Sequence, residues 1–428
     1  MVRELYARLE IFLYAYLAMV LGCVYYLFNY IEGIPFSERA GESQLFRIFW
    51  VCLYGVLIFK VISQARTFVY LFRHSLLLLC FLFLAVASSI YNGIQLEDAI
   101  KLAMYFLTIL FASWLAINLS VDDLVEALYR IGAVVLVAHV LLFPLVGSAI
   151  DYDALHRSTV LGTEPYAGVF GHKNIAGSFF AMMSLISFIR LLSSKRSRPW
   201  SALFLMLHLV ALAAAGAAGA IVGLAGATVV TIGIYLAAAS NRQIASVYWL
   251  AIAGLVLLML SIPQEDMYEL VGRTAGLTGR SFLWSVWPYF FWQKPWLGYG
   301  FGGFFSSLSD APVTELTRMA PWNTVYASFE NSYLDVLLQF GILGGGVYIV
   351  MMLVAIASAI RFAFGSAEGF RLVPIGLLTL TVILGINDSS LMLHNYITCA
   401  ITFWCYFGPE AQLSGAEARH APLAVRGA

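Results

Sequence analysis

Two carboxylates lie close together near the start of a long apolar stretch. Glu330 and Asp335 belong to the sequence Phe-Glu-Asn-Ser-Tyr-Leu-Asp over residues 329–335. A carboxylate at the mouth of a membrane span can take the proton of a hydroxyl group. Asp335 lies about one turn inside the span, where an ionisable group is costly and is therefore a functional candidate. Asp388, between the last two apolar stretches, is a similar candidate. An acidic side chain at this place also stabilises a helix N-terminus through the helix dipole, without any catalytic role.

Two arginines flank a glycine-containing segment that precedes a run of aromatic residues. Arg273 and Arg280 are seven positions apart and would share one face of a helix, but the glycines between them favour a loop that folds back. A guanidinium group presents a planar fork that suits phosphate oxygens. The aromatic run over residues 282–296 is typical of a helix at the bilayer interface or of an ordinary aromatic belt. The glycines over 298–303 indicate a turn or a nest of backbone amides for phosphate.

A third group of polar residues, His172, Lys173 and Asn174, precedes an apolar stretch. Free backbone amides and the positive end of the dipole at a helix N-terminus, together with Lys173 and His172, would form an anion site at the membrane surface. The alternative is structural: Lys173 extends to lipid headgroups and Asn174 caps the helix.

The composition identifies the environment of these residues. Of 428 residues, 61% are apolar and 11% are charged, and the 24 basic residues equal the 24 acidic ones. The mean hydropathy is +0.85. Soluble domains are about 45–50% apolar and about 25% charged, so a soluble enzyme, a disordered chain and a disulfide-linked secreted module are excluded. A nucleic-acid partner is not expected without a basic surplus.

The hydropathy predicts an all-α polytopic membrane protein with about twelve transmembrane helices, since apolar runs of roughly 20 residues are continuous and do not alternate. The expected spans are 9–30, 48–64, 75–91, 99–119, 131–147, 173–193, 201–217, 219–238, 246–262, 333–358, 372–386 and 389–407. Lys and Arg in the short loops predict that both termini are cytoplasmic. We expect one transmembrane domain over 1–408, large outer loops at 147–172 and 263–332, and a mobile cytoplasmic tail over 409–428.

Taken in order, these motifs resemble the O-antigen ligase and polymerase superfamily of bacterial envelope glycosyltransferases, and most closely its exopolysaccharide polymerases of the ExoQ type. The resemblance is specific over about residues 160–350. The matching elements are Gly171-His172-Lys173-Asn174, Leu277-Thr278-Gly279-Arg280 with Trp284, Pro295-Trp-Leu-Gly298-Tyr-Gly300, Asn331-Ser-Tyr-Leu-Asp335 and Gly341-Ile-Leu-Gly344. The chain departs from the family at Glu330, where His is common, and at the turn Ala-Gly-Ala-Ala-Gly over residues 215–219, which often carries Ser and Arg.

The resemblance implies a fold like that of GT-C glycosyltransferases with a large periplasmic loop, in the bacterial inner membrane. It also implies a reaction in which an acceptor hydroxyl displaces undecaprenyl diphosphate from a lipid-linked glycan on the periplasmic face, without cofactor, metal or nucleotide. The absence of a phosphate-binding P-loop sequence agrees with a reaction that needs no nucleotide. The expected partners are the glycan donor and acceptor, the lipid bilayer and other polysaccharide assembly or export proteins.

On this basis Glu330, Arg280 and His172 are the predicted catalytic residues. Glu330 takes the hydroxyl proton, Arg280 stabilises the departing diphosphate, and His172 positions the donor or shares the role of base. The predicted substrate-binding residues are Lys173, Asn174, Arg273, Asn331, Tyr333, Gly302 and Gly303.

Three functions remain open. A polymerase joins repeat units to one another, whereas a ligase moves a finished glycan to lipid A core. The branch resemblance and Glu330 favour the polymerase. A transporter or lipid-linked glycan flippase is the third alternative, but it would be expected to have repeated halves and paired charges near the middle of the membrane.

Overall fold

The computed structural model describes residues 2–32, 43–73, 75–142, 165–170, 172–193, 198–239, 243, 246–253, 280–305, 311–320, 326–366, 369–392 and 396–420. Over these ranges the chain forms helices and turns, with no β-strand. The helices are α1 (Val2–Val20), α2 (Tyr25–Glu32), α3 (Gln44–Ser63), α4 (Ala65–Arg73), α5 (Leu76–Tyr91), α6 (Leu96–Asn118), α7 (Val121–Leu142), α8 (Lys173–Ser193), α9 (Arg198–Ala215), α10 (Ala218–Ala238), α11 (Arg280–Phe291), α12 (Ala311–Met319), α13 (Ser332–Gly365), α14 (Val373–Asn387) and α15 (Ile397–His420). Residues 246–253 are also helical, and Gly168–Phe170 and Ser390–Met392 form 3₁₀ turns.

Seven of the described helices are long and apolar enough to cross a bilayer, namely α3, α6, α7, α8, α9, α10 and α13. The bent pair of α4 and α5 raises the number to eight if it is one span. Three shorter apolar stretches are Ile11–Val20, Val373–Asn387 and Ile397–Gly408. The predicted all-α polytopic membrane fold is therefore confirmed, while the count of twelve spans stays a prediction.

Two breaks between consecutive helices coincide with glycines in left-handed conformation. The expected span over 9–30 is interrupted, because α1 ends at Val20 and Gly22 has a φ of 72° before α2 begins. Gly216, with a φ of 64°, separates α9 from α10. A positive φ ends a helix at little cost only where the residue lacks a Cβ, so both breaks follow from the residue type.

The long helix α13 is broken at Gly341, which has a φ of 63° and a ψ of −166°. On one side of the break, the amide of Ile342 donates to the carbonyl of Pro295 at 2.7 Å. On the other side, the carbonyl of Leu338 accepts from the amide of Tyr299 at 2.9 Å. Unpaired backbone groups are costly in a membrane, so the segment after α11 satisfies the groups that the break exposes.

Two apolar clusters organise the packing. The larger one is the bundle core, in which α13 packs against α5, α14 and α15, while α15 also packs against α6 and α8 against α9. The smaller one, called the loop cluster below, joins α11, α12 and the segment before α13. It consists of Leu283, Phe290, Tyr299, Phe304, Val313, Leu316, Tyr326, Phe329 and Leu338. The region predicted as the second outer loop thus has its own packed helices, which hold the start of α11 against the start of α13.

Candidate functional site

An ion pair between Arg280 and Glu330 lies where α11 and α13 begin. The guanidinium Nη2 is 3.0 Å from the carboxylate Oε2, although the two residues are 50 positions apart in the chain. The Arg280 side chain is 24% exposed and that of Glu330 is 41% exposed, so a ligand can reach both. The structure therefore brings two of the three predicted catalytic residues into direct contact.

The backbone of Glu330 is strained. Among the residues that the structure describes, Glu330 alone combines a positive φ, 54°, with a side chain. Such a conformation costs of order 1–3 kcal/mol and persists only where neighbouring contacts fix it. The preceding residue supplies those contacts: the Phe329 amide donates to Asp335 Oδ1 at 3.1 Å, and the Phe329 carbonyl accepts from Trp284 Nε1 at 3.0 Å.

The start of α13 is also tied to the turn after α14. Asn331 caps α13, because its Oδ1 accepts from the amides of Tyr333 and Leu334, and its Nδ2 donates to the Ile386 carbonyl at 3.1 Å. The Ser332 amide donates to the carbonyl of Asp388 at 3.0 Å. Asn331 and Tyr333, predicted to bind substrate, therefore have structural contacts here, and their ligand role stays a prediction.

Asp335 and Asp388 complete an acidic group around the ion pair. Asp335 is 4% exposed, and it accepts a short hydrogen bond from the Ser389 hydroxyl. Asp388 lies between α14 and the following 3₁₀ turn. Burial and the charge of Glu330 raise the pKa of Asp388, the Ser389 amide and the Arg280 charge lower it, and the resulting pKa is about 6. Asp388 is thus electrostatically coupled to both members of the ion pair.

The sequence had marked Asp388 only as an ionisable residue between two spans, and it was not among the predicted site residues. The position of Asp388 at the end of a span could have indicated a site residue. The sequence does not show which residues the turn at Asp388 contacts. The contacts of Ser332 with this turn supply that information.

The His172–Asn174 segment forms the start of α8. The Asn174 amide donates to His172 Nδ1 at 3.2 Å, and the His172 carbonyl accepts from the amide of Ala176 at 3.1 Å. His172 is exposed and caps the helix, while Lys173 is only 5% exposed. The expected cap is present, but His172 provides it rather than Asn174. The catalytic role of His172 and the binding roles of Lys173 and Asn174 stay predictions.

Close glycine contacts connect this helix start to the Asp388 turn. A Cβ at Gly177 of α8 would lie 2.3 Å from Cβ of Ala217, in the turn between α9 and α10. A Cβ at Gly219 would lie 3.4 Å from Cβ of Asn387, the neighbour of Asp388. The first turns of α8 and α10 and the end of α14 therefore lie side by side. No side chain caps α10, so the turn without the family's Ser and Arg leaves the positive end of the α10 dipole uncapped.

The glycine turn after α11 pairs its amides with acceptors of the protein itself. The amides of Gly300 and Gly302 donate to the backbone and side-chain carbonyls of Gln339 at 2.8 and 3.0 Å, and the Gly303 amide donates to the Gly300 carbonyl. The turn therefore uses these amides for packing and is not a nest of unpaired donors. A Cβ at Gly302 would lie 2.7 Å from Asp98 Oδ1. The ligand roles of Gly302 and Gly303 stay predictions, and Arg273 lies outside the described residues.

The described residues contain no group of three His, Cys, Asp or Glu side chains placed to hold a metal ion. The chemistry that the site offers is that of one guanidinium paired with the Glu330 carboxylate, with the carboxyl groups of Asp335 and Asp388 nearby. Such a group can bind an anion and accept a proton at the same time.

Residues 174–349 match the family model described as O-antigen ligase. The match begins at Asn174 and includes α8 to α11, the Arg280–Glu330 pair and the broken part of α13. No match is found among curated proteins. This result confirms the predicted resemblance to the O-antigen ligase and polymerase superfamily, while the closeness to the ExoQ type stays a prediction. Over residues 174–349, this polytopic helical membrane protein is similar to the O-antigen ligase family.

Proposed function

We propose that the protein polymerises oligosaccharide repeat units carried on undecaprenyl diphosphate, on the periplasmic face of the bacterial inner membrane, with both termini cytoplasmic. The observation that supports this proposal best is the Arg280–Glu330 pair at 3.0 Å. It combines an anion-binding cation with a carboxylate base on the segment that matches the family. The donor and the acceptor are both lipid-linked glycans, and the product would be an exopolysaccharide, a capsule or an O-antigen.

In the proposed reaction, the donor diphosphate first competes with Glu330 for the Arg280 guanidinium. Once Arg280 binds the diphosphate, the Glu330 carboxylate is released and takes the proton of an acceptor hydroxyl. The hydroxyl oxygen forms a bond to the anomeric carbon, and the bond from that carbon to the diphosphate oxygen breaks. The electron pair leaves with the diphosphate, whose charge Arg280 and the uncapped N-terminus of α10 stabilise.

The test is a reaction with purified protein in nanodiscs and a defined lipid-linked repeat unit. We expect release of undecaprenyl diphosphate and a ladder of products on a gel. The rate should fall by about 10²–10⁴-fold in Glu330→Gln, because the base is lost. It should fall by roughly 10²–10³-fold in Arg280→Ala, because the leaving group loses its counter-charge. Arg318→Ala is the matched control, since this exposed arginine of α12 lies outside the ion pair.

Near-normal rates in both Arg280→Ala and Glu330→Gln, at equal protein amounts, would exclude the proposed mechanism. An intact donor that has only changed sides of the membrane would identify a flippase instead.

A ligase is the second candidate, and the description of the matched family as O-antigen ligase favours it. The same assay distinguishes the two when lipid A core is offered as a second acceptor. A ligase would give one product on that acceptor, whereas a polymerase would give the ladder in its absence. Glu330, at the position where His is common in the family, favours the polymerase of the ExoQ type.

A further inference from the structure

A polar cavity borders the loop cluster, with which it shares Tyr299. Its volume is about 360 Å³, within the roughly 300–1,000 Å³ of typical small-molecule sites. It is enclosed by the end of α5, the start of α6, the turns after α11 and the start of α12. The residues that line it are Ser89, Asn92, Gly93, Ile94, Gln95, Asp98, Gln293, Lys294, Tyr299, Gly300, Phe301, Gly303, Ala311 and Pro312.

The cavity is separate from the ion pair but connected to it through packed rings. Tyr299, which lines the cavity, packs edge-on against Phe304 with 5.1 Å between the ring centroids. Phe304 in turn packs against Phe329, the neighbour of Glu330, at 5.5 Å. Of the residues predicted to bind substrate, Gly303 lines this cavity. The loop cluster therefore joins the lining of the cavity to the segment that carries Glu330.

The two charges in the cavity already have partners in the protein. The Lys294 ammonium group donates to Asn92 Oδ1 at 2.6 Å and lies 4.8 Å from the centroid of the Tyr299 ring. The Asp98 carboxylate is 3.6 Å from the Lys101 ammonium group. Because one charge is positive and the other negative, the lining of the cavity has no net charge, and the cavity therefore favours a ligand with no net charge.

The remaining polar groups of the cavity are mostly side-chain amides. Gln95 is exposed and does not use its side chain to cap α6. Gln293 is also exposed, and its Oε1 accepts from the Tyr299 hydroxyl at 3.2 Å. An amide offers two donors and one acceptor in a plane, which suits the neighbouring hydroxyl groups of a sugar ring. Asn92 is held by its donation to the Gly298 carbonyl at 3.0 Å, so part of this lining is fixed before any ligand binds.

We propose that this cavity is a second glycan-binding site, which takes an uncharged saccharide segment of the chain handled at the Arg280–Glu330 pair. The inference rests on the proposed function and adds a place for the polymer away from the reacting atoms. A second contact on the same chain raises its effective concentration at the enzyme. The site therefore keeps the growing chain bound between additions and lengthens the product, without changing the chemical step.

The test compares Gln95→Trp with Leu96→Trp, in nanodiscs. Tryptophan at position 95 fills the cavity, whereas Leu96 is 79% exposed and does not line it. The probe is the oligosaccharide freed by mild acid from the host's own lipid-linked glycan, and binding is measured by saturation-transfer NMR. We expect roughly tenfold weaker binding in Gln95→Trp, a loss of about one decade in Kd, and wild-type binding in Leu96→Trp. The polymer should be shorter in Gln95→Trp, with an unchanged rate for the first transfer.

Failure of this inference differs from failure of the proposed function. Wild-type affinity and wild-type chain length in Gln95→Trp would exclude the second site while the polymerase stands. The second site is also excluded if the wild-type protein does not bind the oligosaccharide. Weaker binding of glycerol phosphate to Gln95→Trp than to the wild type would show that the cavity binds anions, and would exclude the proposed saccharide site as well. A glycan bound through Gln95 in a protein that releases no undecaprenyl diphosphate would support the site and overturn the polymerase.

Discussion

Glu330 combines a strained backbone, an ion pair and partial exposure in one residue. The contacts of Trp284 and Asp335 with the backbone of Phe329 maintain the strain, so the carboxylate direction does not depend on a flexible loop. Strained residues of this kind concentrate at sites where geometry matters for function. In the proposed reaction, Arg280 and Glu330 neutralise each other before the donor binds, so Glu330 acts as a base only when a competing anion binds Arg280.

Asp388 gives the site a pH dependence that can be measured. Its pKa is raised to about 6, so the residue keeps its proton below that pH and becomes charged above it. An ionised Asp388 favours proton transfer to Glu330, since the proton relieves repulsion between two neighbouring carboxylates. We therefore expect the transfer rate to rise as the pH increases through about 6. Asp388→Asn should remove this step and lower the rate at neutral pH by roughly tenfold.

The measurement is the initial rate of undecaprenyl diphosphate release between acid and neutral pH, at saturating donor. Glu97→Gln is the control, because the Glu97 side chain is 71% exposed and pairs with Lys101. If the rate of Asp388→Asn still rises with pH at the same midpoint as the wild type, the pH dependence does not come from Asp388.

At the scale of elements, the break in α13 connects two sequence motifs that lie apart in the chain. The motif Gly341-Ile-Leu-Gly344 contains the residue at which the helix breaks. The motif over residues 295–300 forms hydrogen bonds with the backbone groups on both sides of that break. The Ser88 hydroxyl of α5 adds a bond to the Gln339 carbonyl at 3.1 Å. Three elements thus meet at one glycine, and this junction sets the position of α11, which carries Arg280.

Gly341→Ala should destabilise the fold. The positive φ alone costs roughly 1–2 kcal/mol for a residue with a Cβ, and that Cβ would lie 2.2 Å from the Trp296 carbonyl oxygen. We expect a lower midpoint of thermal unfolding in detergent. Gly346→Ala is the matched control in the same helix, because nothing lies within 4 Å of its Cβ position. That variant should be as stable as wild type or more stable, since alanine favours helix by about 1 kcal/mol. Equal midpoints for the two variants would contradict the role given to the break.

At the scale of the whole molecule, a second ionic network lies at the other end of α8. Arg190 donates to Glu126 Oε2 at 2.8 Å, and its guanidinium lies 4.0 Å from the centroid of the Tyr129 ring and 5.3 Å from that of Phe370. The helix α8 has 21 residues, so Arg190 is roughly 25 Å along the helix from Lys173 at 1.5 Å per residue. The network joins α7, α8 and the segment before α14, far from the site.

Arg190→Ala should therefore lower stability without a specific effect on transfer. The Arg190 side chain is 10% exposed, and the loss of a hydrogen bond to a charged group at a buried position costs about 1.5–3 kcal/mol. Arg130→Ala removes the other arginine that binds Glu126, at 3.1 Å, but that side chain is 57% exposed, so we expect about 1 kcal/mol or less. Thermal unfolding in detergent measures both. A larger effect of Arg130→Ala than of Arg190→Ala would contradict this view of the network.

The sequence by itself determined the class of fold and the candidate motifs. Continuous apolar runs and few charges require membrane helices, because each residue adds its own transfer free energy wherever the chain folds. The break at Gly216 lies in the Gly/Ala-rich turn that the sequence indicated. The break at Gly22 within the expected span 9–30 was not predicted, because glycine permits a positive φ but does not require one. The order of the motifs was enough to indicate the superfamily that the match over residues 174–349 confirms.

The tertiary structure decided which of these candidates meet. It paired Arg280 with Glu330 across 50 residues, added Asp388 through Ser332, and assigned the amides of Gly300 and Gly302 to packing. Hydropathy and spacing do not contain this information, because contacts between distant residues depend on how helices pack and not on local sequence. The strained backbone of Glu330 also depends on contacts between distant residues. The hydrogen bonds of Trp284 and Asp335 to the backbone of Phe329 fix this conformation only in the folded chain.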